Sequence, residues 1–365
     1  MNSYQSPTTA HQAVDQSSPG RQSAWWESTE IPTAITDQTP VLENPVTWKE
    51  KQARTRQKLE QSIEVLKSKD LPDQPCVIRY LEHLYRRHCK WSTIQNACVV
   101  IFDFLFFIQQ SGRRHLEQIT RNDLCAFIEQ EQDRGLKPQT VSSKVRCMYA
   151  FFKFLESDGI IDPDVYARRI KIRLPQSLPK AIAAQDVARL FAVISNIRDQ
   201  ALILVLLRTG MRIGELLSLT VHDVDFQTKT IKIYEAEKNS VGRVVYLSQD
   251  ALKVLAQWYQ IRNPRRLYLF YGRSGPMGYS SARSIFSRHL ARAGLVHKGY
   301  TLHCLRHTFA TDLLNAGMRL ECLQQLLGHA KIDVTRIYAR LSDQTREKEY
   351  FRAMARIEQG DADGY

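Results

Sequence analysis

The sequence predicts a mainly α-helical chain with a small antiparallel β-sheet, divided into two domains. Three observations carry this reading. Apolar residues recur every three or four positions through most of residues 75–160 and again from 183 onward, which is the helical period. One stretch alternates in the manner of strands, Thr230–Tyr234 with Arg243–Leu247, and is expected to fold as a hairpin. Between the helical regions, residues 161–182 hold Pro163, Pro175 and Pro179 with Arg168, Arg169, Lys171, Arg173 and Lys180, the composition of a basic interdomain linker.

Taken in order, residues 1–45 are rich in Ser, Thr, Gln and Pro and read as a disordered tail. Within it Trp25-Trp26 is either a docking point or a pair without a role. Residues 46–74 form a basic helical extension that Pro72 ends. Four helices follow in 75–160. Ile78, Leu81, Leu84 and Tyr85 stripe the first, and Ser92 caps the second, which carries Val99, Ile101, Phe102, Leu105 and Phe106. Thr120 with Asp123 makes a capping box for the third, and Pro138 opens the fourth, stopped at Gly159. The second domain spans 183–342. It has helices near 186–194, 200–209 and 213–219, then the hairpin, then helices resuming after Ser248. A tail helix over 343–365 presents Tyr350, Phe351, Met354 and Ile357 on one side.

The 365 residues hold 51 Lys and Arg against 38 Asp and Glu, a net charge of +13. Residues 1–45 contribute −4, with Arg21 set against five carboxylates, so the remaining 320 residues carry +17. That balance suits a polyanion, nucleic acid above all. The seven cysteines (Cys76, Cys89, Cys98, Cys125, Cys147, Cys304 and Cys322) are odd in number and show no paired spacing. A reduced, cytoplasmic setting is expected, with the cysteines acting as small hydrophobes. The richest apolar run, Val99–Ile108, is interrupted by Asp103 and is short for a membrane span, and no secretory signal opens the chain.

The chemistry-bearing residues are Arg212, Lys238, His303, Arg306, His329 and Tyr338. A guanidinium grips phosphate oxygens bidentately and keeps its charge, so two can hold a phosphodiester and offset the charge of its transition state. Each arginine also has a plainer reading: Arg212 as a helix cap or partner of Glu215, Arg306 as a buried ion-pair residue. Arg212 follows Gly210, where the backbone can bend, and His303 and Arg306 stand three apart on one helix. A tyrosine hydroxyl, with a pKa near 10, attacks usefully only beside cations or a base. Lys238, in the hairpin turn, is either a solvated turn residue or a general acid. His303 and His307, four apart, with His329, also allow a zinc site, a weaker reading because no Glu or Cys completes a known zinc motif.

These motifs resemble those of the tyrosine recombinases, the phage integrase family. The likeness runs from about residue 75 to 345. It is carried by Leu207-Arg208-Thr209-Gly210-Met211-Arg212-Ile213-Gly214-Glu215-Leu216, by His303-Cys304-Leu305-Arg306-His307-Thr308-Phe309-Ala310-Thr311, and by Leu326-Leu327-Gly328-His329 with Tyr338. The resemblance implies a helical core-binding domain and an α+β catalytic domain forming a clamp around DNA. It implies Tyr338 as nucleophile, Arg212 and Arg306 as phosphate clamp, His303 and His329 as phosphate and proton contacts, and Lys238 as general acid. The implied reaction proceeds through a 3′-phosphotyrosyl link with neither ATP nor metal. Its setting is a tetramer on synapsed duplexes, with the tail helix docked on a neighbour. The turn Glu237-Lys238-Asn239 lacks the glycines common in relatives, and Tyr246 stands where many have proline.

The expected partner is double-stranded DNA with an inverted-repeat core site, bound by a homotetramer or with a second recombinase or accessory factors; no membrane partner is expected. Candidate DNA contacts are Lys137, Lys144, Arg146, Arg168, Arg169, Lys171, Arg173, Arg283, Arg288 and Arg292, most of them positioning contacts to the backbone. The expected role is recombination for a mobile element. The alternatives are DNA relaxation of the type IB topoisomerase kind and a non-catalytic architectural protein.

Overall fold

A computed structural model describes residues 47–175, 179–234 and 242–328. The expected tail helix and the 1–45 segment lie outside them. The described residues divide into two compact units, 47–175 and 179 onward, each with its own hydrophobic core.

The first unit contains five helices: α1 (Trp48–Lys67), α2 (Gln74–Arg86), α3 (Trp91–Gln110), α4 (Arg121–Asp133) and α5 (Pro138–Ser157). Helix α1 begins at a capping box in which Thr47 and Glu50 satisfy each other's amides. It lays Leu59, Ile63 and Leu66 into the same core as the other four. The expected extension is therefore part of the bundle, because an amphipathic face next to an apolar one buries its surface there. Helix α3 starts two residues earlier than expected, at Trp91, with Lys90 rather than Ser92 at its N-cap position. It is long and apolar enough to cross a membrane by composition alone. Ile94, Val100, Ile101, Phe104, Leu105 and Ile108 pack it into the bundle instead, where Phe104 meets Phe127 and Phe152 edge-on. The capping box of Thr120 with Asp123 forms as the sequence indicates.

The linker reading is corrected over its first half. Ile161, Val165, Ile170 and Ile172 pack on the bundle core, and the Ile170 amide donates to the Tyr149 hydroxyl at 2.7 Å. Arg168, Arg169, Lys171 and Arg173 face outward. The segment is a strap whose apolar residues hold it down and whose cations remain solvated.

The first helix of the second unit is α6 (Ala184–Ala192), with Ala183 at its cap position. Then come α7 (Ile197–Thr209), α8 (Ile213–Ser218), the strands β1 (Val224–Asp225), β2 (Thr230–Ile233) and β3 (Arg243–Tyr246), and α9 (Gln249–Ile261), α10 (Tyr279–Arg292), α11 (Leu302–Asn315) and α12 (Leu320–Leu327). The hairpin pairs in antiparallel register, Thr230 with Tyr246 and Ile233 with Arg243. The two-residue β1 adds a third strand through Val224 and Ile231. Ile231, Ile233 and Val245 face the core, whereas Lys232, Val244 and Tyr246 face out. Helix α7 is buried on nearly every side, from Ala201 to Leu207, between α9 and α11. Asn196 caps its start through the amides of Arg198 and Asp199.

Lys144, expected to contact DNA, turns inward. Its ammonium lies 2.7 Å from Asp103 and also bonds Glu131, which is fully buried and paired with Arg134. A buried carboxylate needs such cations to offset its lost hydration. Lys144→Met is expected to speed hydrogen exchange in α4 and α5 roughly 100-fold, corresponding to about 3 kcal/mol for a charge left underpaired. The salt dependence of DNA binding should stay as in the wild type; a shallower slope with unchanged exchange would place Lys144 on the DNA after all.

Candidate active site

The site is built around a turn and two helix ends. Helix α7 stops at Gly210, whose φ of +61° is the left-handed conformation that glycine adopts freely. Space gives a second reason for glycine, since a Cβ here would sit 2.2 Å from the Phe309 ring. The turn delivers Arg212 to the start of α8. One turn later, Glu215 accepts the Arg212 amide at 2.8 Å on one oxygen and its Nη1 at 2.8 Å on the other. The plainer reading of Arg212, pairing with Glu215, thus holds at the same time as its placement in the site.

Glu215 is fully buried. Arg243, the first residue of β3, reaches it with Nη1 at 3.1 Å and Nη2 at 2.6 Å, a fork-to-fork pair. Burial pushes the Glu215 carboxyl up, but the bonds and charges of Arg243 and Arg212 outweigh it and hold the group below the ordinary carboxylate value.

Helix α11 supplies Arg306 from its second turn. The residue is buried, with Nη1 donating to the Gly210 carbonyl at 2.6 Å and Nη2 to the Leu327 carbonyl at 2.7 Å. Helix α12 ends at Leu327 with Gly328 as its left-handed cap. The last carbonyls of a helix lack partners within it. Here consecutive ones are taken by arginines: Leu326 by Arg243 Nε at 3.0 Å, Leu327 by Arg306, and Gly328 by Arg212 Nη2 at 3.4 Å. Arg212 and Arg306 are therefore brought together, side by side on neighbouring peptide groups. Cations at a helix C-terminus also meet the negative end of its dipole.

His303 stands in the first turn of α11, exposed, with its ring 4.4 Å from that of His307 in an edge-on contact. Burial, then the charges of His303 and Arg306, lower His307 to about 4. It is therefore neutral near pH 7. Among the described residues, no group of three or more His, Cys, Asp or Glu side chains gathers as metal ligands would. Lys238, His329 and Tyr338 lie outside the described residues. Of the proposed DNA contacts, Lys137, Arg146, Arg283 and Arg292 are exposed. Arg288 is mostly exposed, with one nitrogen 3.9 Å from Asp199.

Sequence reasoning gave Arg243 no role of its own, treating it as the start of a strand and as the mark from which Lys238 is spaced. A signal was present. Strand alternation puts Arg243 on the same face as the buried Val245, and a charged residue on an inward face requires a partner.

A family model described as "Phage integrase family" matches residues 180–345. The chain is 30% identical over 275 residues to the tyrosine recombinase XerC of Bacillus subtilis (strain 168), covering 71% of this chain and 88% of the relative. It is 28% identical over 228 residues to the tyrosine recombinase XerA of Pyrococcus horikoshii, covering 61% and 76%. Among solved structures, it resembles the Tn1549 transposon integrase in complex with transposon right end DNA, with a TM-score of 0.62, 20% identity and coverage of 76% and 99%. A lambda integrase dimer bound to a COC′ core site gives a TM-score of 0.59, 21% identity and coverage of 72% and 94%. At these identities the two structural likenesses concern the fold.

The His307 shift sets a pH dependence. A histidine whose folded pKa is depressed stabilises the fold fully above its unfolded value near 6.5 and loses that contribution as pH falls toward 4. The thermal midpoint of the second unit should therefore fall across that window in the wild type and fall less in His307→Gln. Parallel profiles for the two proteins would remove His307 from the account.

Proposed function

The chain belongs to the phage integrase family of tyrosine recombinases, and from that premise we propose how its residues cut and rejoin DNA. The enzyme is a site-specific DNA recombinase. In our reading the Tyr338 oxygen attacks the scissile phosphorus and displaces the 5′ oxygen of the next nucleotide. That oxygen leaves with a proton from Lys238, and a 3′-phosphotyrosyl ester remains. The 5′ hydroxyl of the partner strand then attacks the ester and releases the tyrosine. One phosphodiester is exchanged for another of similar energy, so the reaction as written draws on no nucleotide cofactor.

The observation that carries the reading is the seating of Arg212 and Arg306 on the adjacent carbonyls of Gly328 and Leu327. In sequence His329 follows at once, and Tyr338 nine residues after it. Two guanidinium groups fixed before substrate arrives can receive a phosphate and its added transition-state charge without reorganising. His303, at the exposed edge of the same helix as Arg306, and His329 would contact the phosphate and share the proton of Tyr338.

Around this site we place duplex DNA, held by Lys137, Arg146, Arg168, Arg169, Lys171, Arg173, Arg283, Arg288 and Arg292 as backbone contacts. Four protomers would join two duplexes, with residues 343–365 docking on a neighbour. The +17 charge of residues 46–365 supports this polyanion reading. We assign the activity to a mobile element. Inverted repeats of about a dozen base pairs around a short spacer, flanking the coding sequence, would identify the target.

The test uses nicked suicide duplexes with randomised arms, incubated with the full chain in EDTA. The wild type should give an SDS-stable adduct and Tyr338→Phe none. Arg212→Ala and Arg306→Ala should each slow its formation about 100- to 1000-fold. Lys238→Ala should lose about 100-fold on ordinary DNA and recover on a substrate with sulfur at the leaving 5′ position, because a thiolate departs without a proton. DNA binding without any adduct would support the architectural reading. Relaxation of supercoiled plasmid irrespective of sequence would favour the topoisomerase one.

A further inference from the structure

Arg243 is absent from the catalytic set just proposed, yet its side chain makes three bonds to that set's scaffold where the Arg212 side chain makes two. Its side chain is 8% exposed and its partner Glu215 is wholly buried. Nη1 and Nη2 engage the two oxygens of Glu215 at 3.1 and 2.6 Å, while Nε engages the Leu326 carbonyl at 3.0 Å. The same carboxylate receives the Arg212 amide and Nη1. One side chain on β3 thus touches both the group that orients Arg212 and the end of α12, whose next carbonyls hold Arg306 and Arg212. The approach is close enough that a Cβ on Gly328 would lie 2.9 Å from Arg243 Nη1.

We propose that Arg243 is a positioning residue for strand cleavage, fixing Arg212 through Glu215 and fixing the α12 terminus through Leu326. This rests on the arginine-clamp reading above. Without Arg243, Glu215 keeps a single guanidinium partner and can draw Arg212 toward itself, away from the phosphate. A lysine cannot substitute fully. It offers one nitrogen, whereas the geometry asks for three N–H groups spread in a plane.

The role differs from ordinary support of the fold in one measurable way. A residue that acts through Arg212 has nothing to act on when Arg212 is gone. The experiment is single-turnover adduct formation by the full chain on the duplex selected from the randomised library, with Arg243→Gln and Arg243→Lys in wild-type and Arg212→Ala backgrounds. Arg243→Gln should slow cleavage about 100-fold in the wild-type background and less than about 3-fold in the Arg212→Ala background. Its DNA dissociation constant should stay within about 3-fold, and Arg243→Lys should recover roughly a tenth of the lost rate. Equal losses in both backgrounds, or a matching loss of DNA affinity, overturn the positioning role in favour of a structural one. An unchanged rate overturns it outright. If the wild type itself gives no adduct, the function reading fails and takes this proposal with it; adduct from the wild type with a normal Arg243→Gln rate sinks this proposal alone.

Discussion

Three guanidinium groups closing over the last carbonyls of α12 are the interaction on which the site depends. Leu326, Leu327 and Gly328 each lie where a helix has run out of its own amides, and each is met by an arginine from a different part of the chain. Arg212 comes from the turn after α7, Arg243 from β3 and Arg306 from α11. No two of these elements are held in this arrangement by local sequence. The short helix α12 is thereby the common reference for the cationic groups, and the chain leaves that reference point directly into His329.

The choice of arginine over lysine follows from the geometry. A guanidinium has five N–H groups in one plane, so it can bind scaffold with some and substrate with others. The bonds described for Arg212 engage two of its five, one to Glu215 and one to Gly328. Arg212 and Arg243 share a single carboxylate, which leaves that pair with one net positive charge in a partly buried setting. Such a surplus is costly by itself and is offset by an anion placed beside it. On the proposed reading, that anion is the scissile phosphate.

Much of this was legible in the sequence, and the limits have physical causes. Helix stops at Gly210 and Gly328 could be read because left-handed φ values leave a glycine in the text. The Thr120–Asp123 capping box and the Thr230–Tyr234 hairpin could be read because their partners are three to sixteen residues away. The inward turn of Lys144 could not. It depends on Asp103 and Glu131, 41 and 13 residues distant, and a lysine on a helix face looks solvated until the neighbouring helix is placed. The strap of Ile170 and Ile172 was hidden for a related reason. Two isoleucines among four cations read as a linker unless the adjacent core is known to lack a lid. Of the proposed site, Arg212, Arg306 and His303 were singled out by their motifs and lie among the described residues, and Arg243 was visible only as a breach of strand alternation.

That breach bears on why a buried ion pair sits at this place at all. A buried carboxylate with two arginines is seldom the most stable way to fill its volume, since apolar side chains of similar size avoid the desolvation of three charges. Nearby positions show the alternative in use: Leu216 and Leu217 beside Glu215, and Val245 two residues from Arg243, are all buried and apolar. Stability alone therefore gives no account of Glu215 and Arg243. What they provide is direction. A carboxylate gripped on both oxygens by Arg243 presents a fixed acceptor to Arg212, and a guanidinium held in one plane can meet a phosphate in one orientation. Where hydrophobic packing would leave Arg212 several rotamers, the pair leaves few, and in the proposed role of meeting a transition state Arg212 benefits from having few.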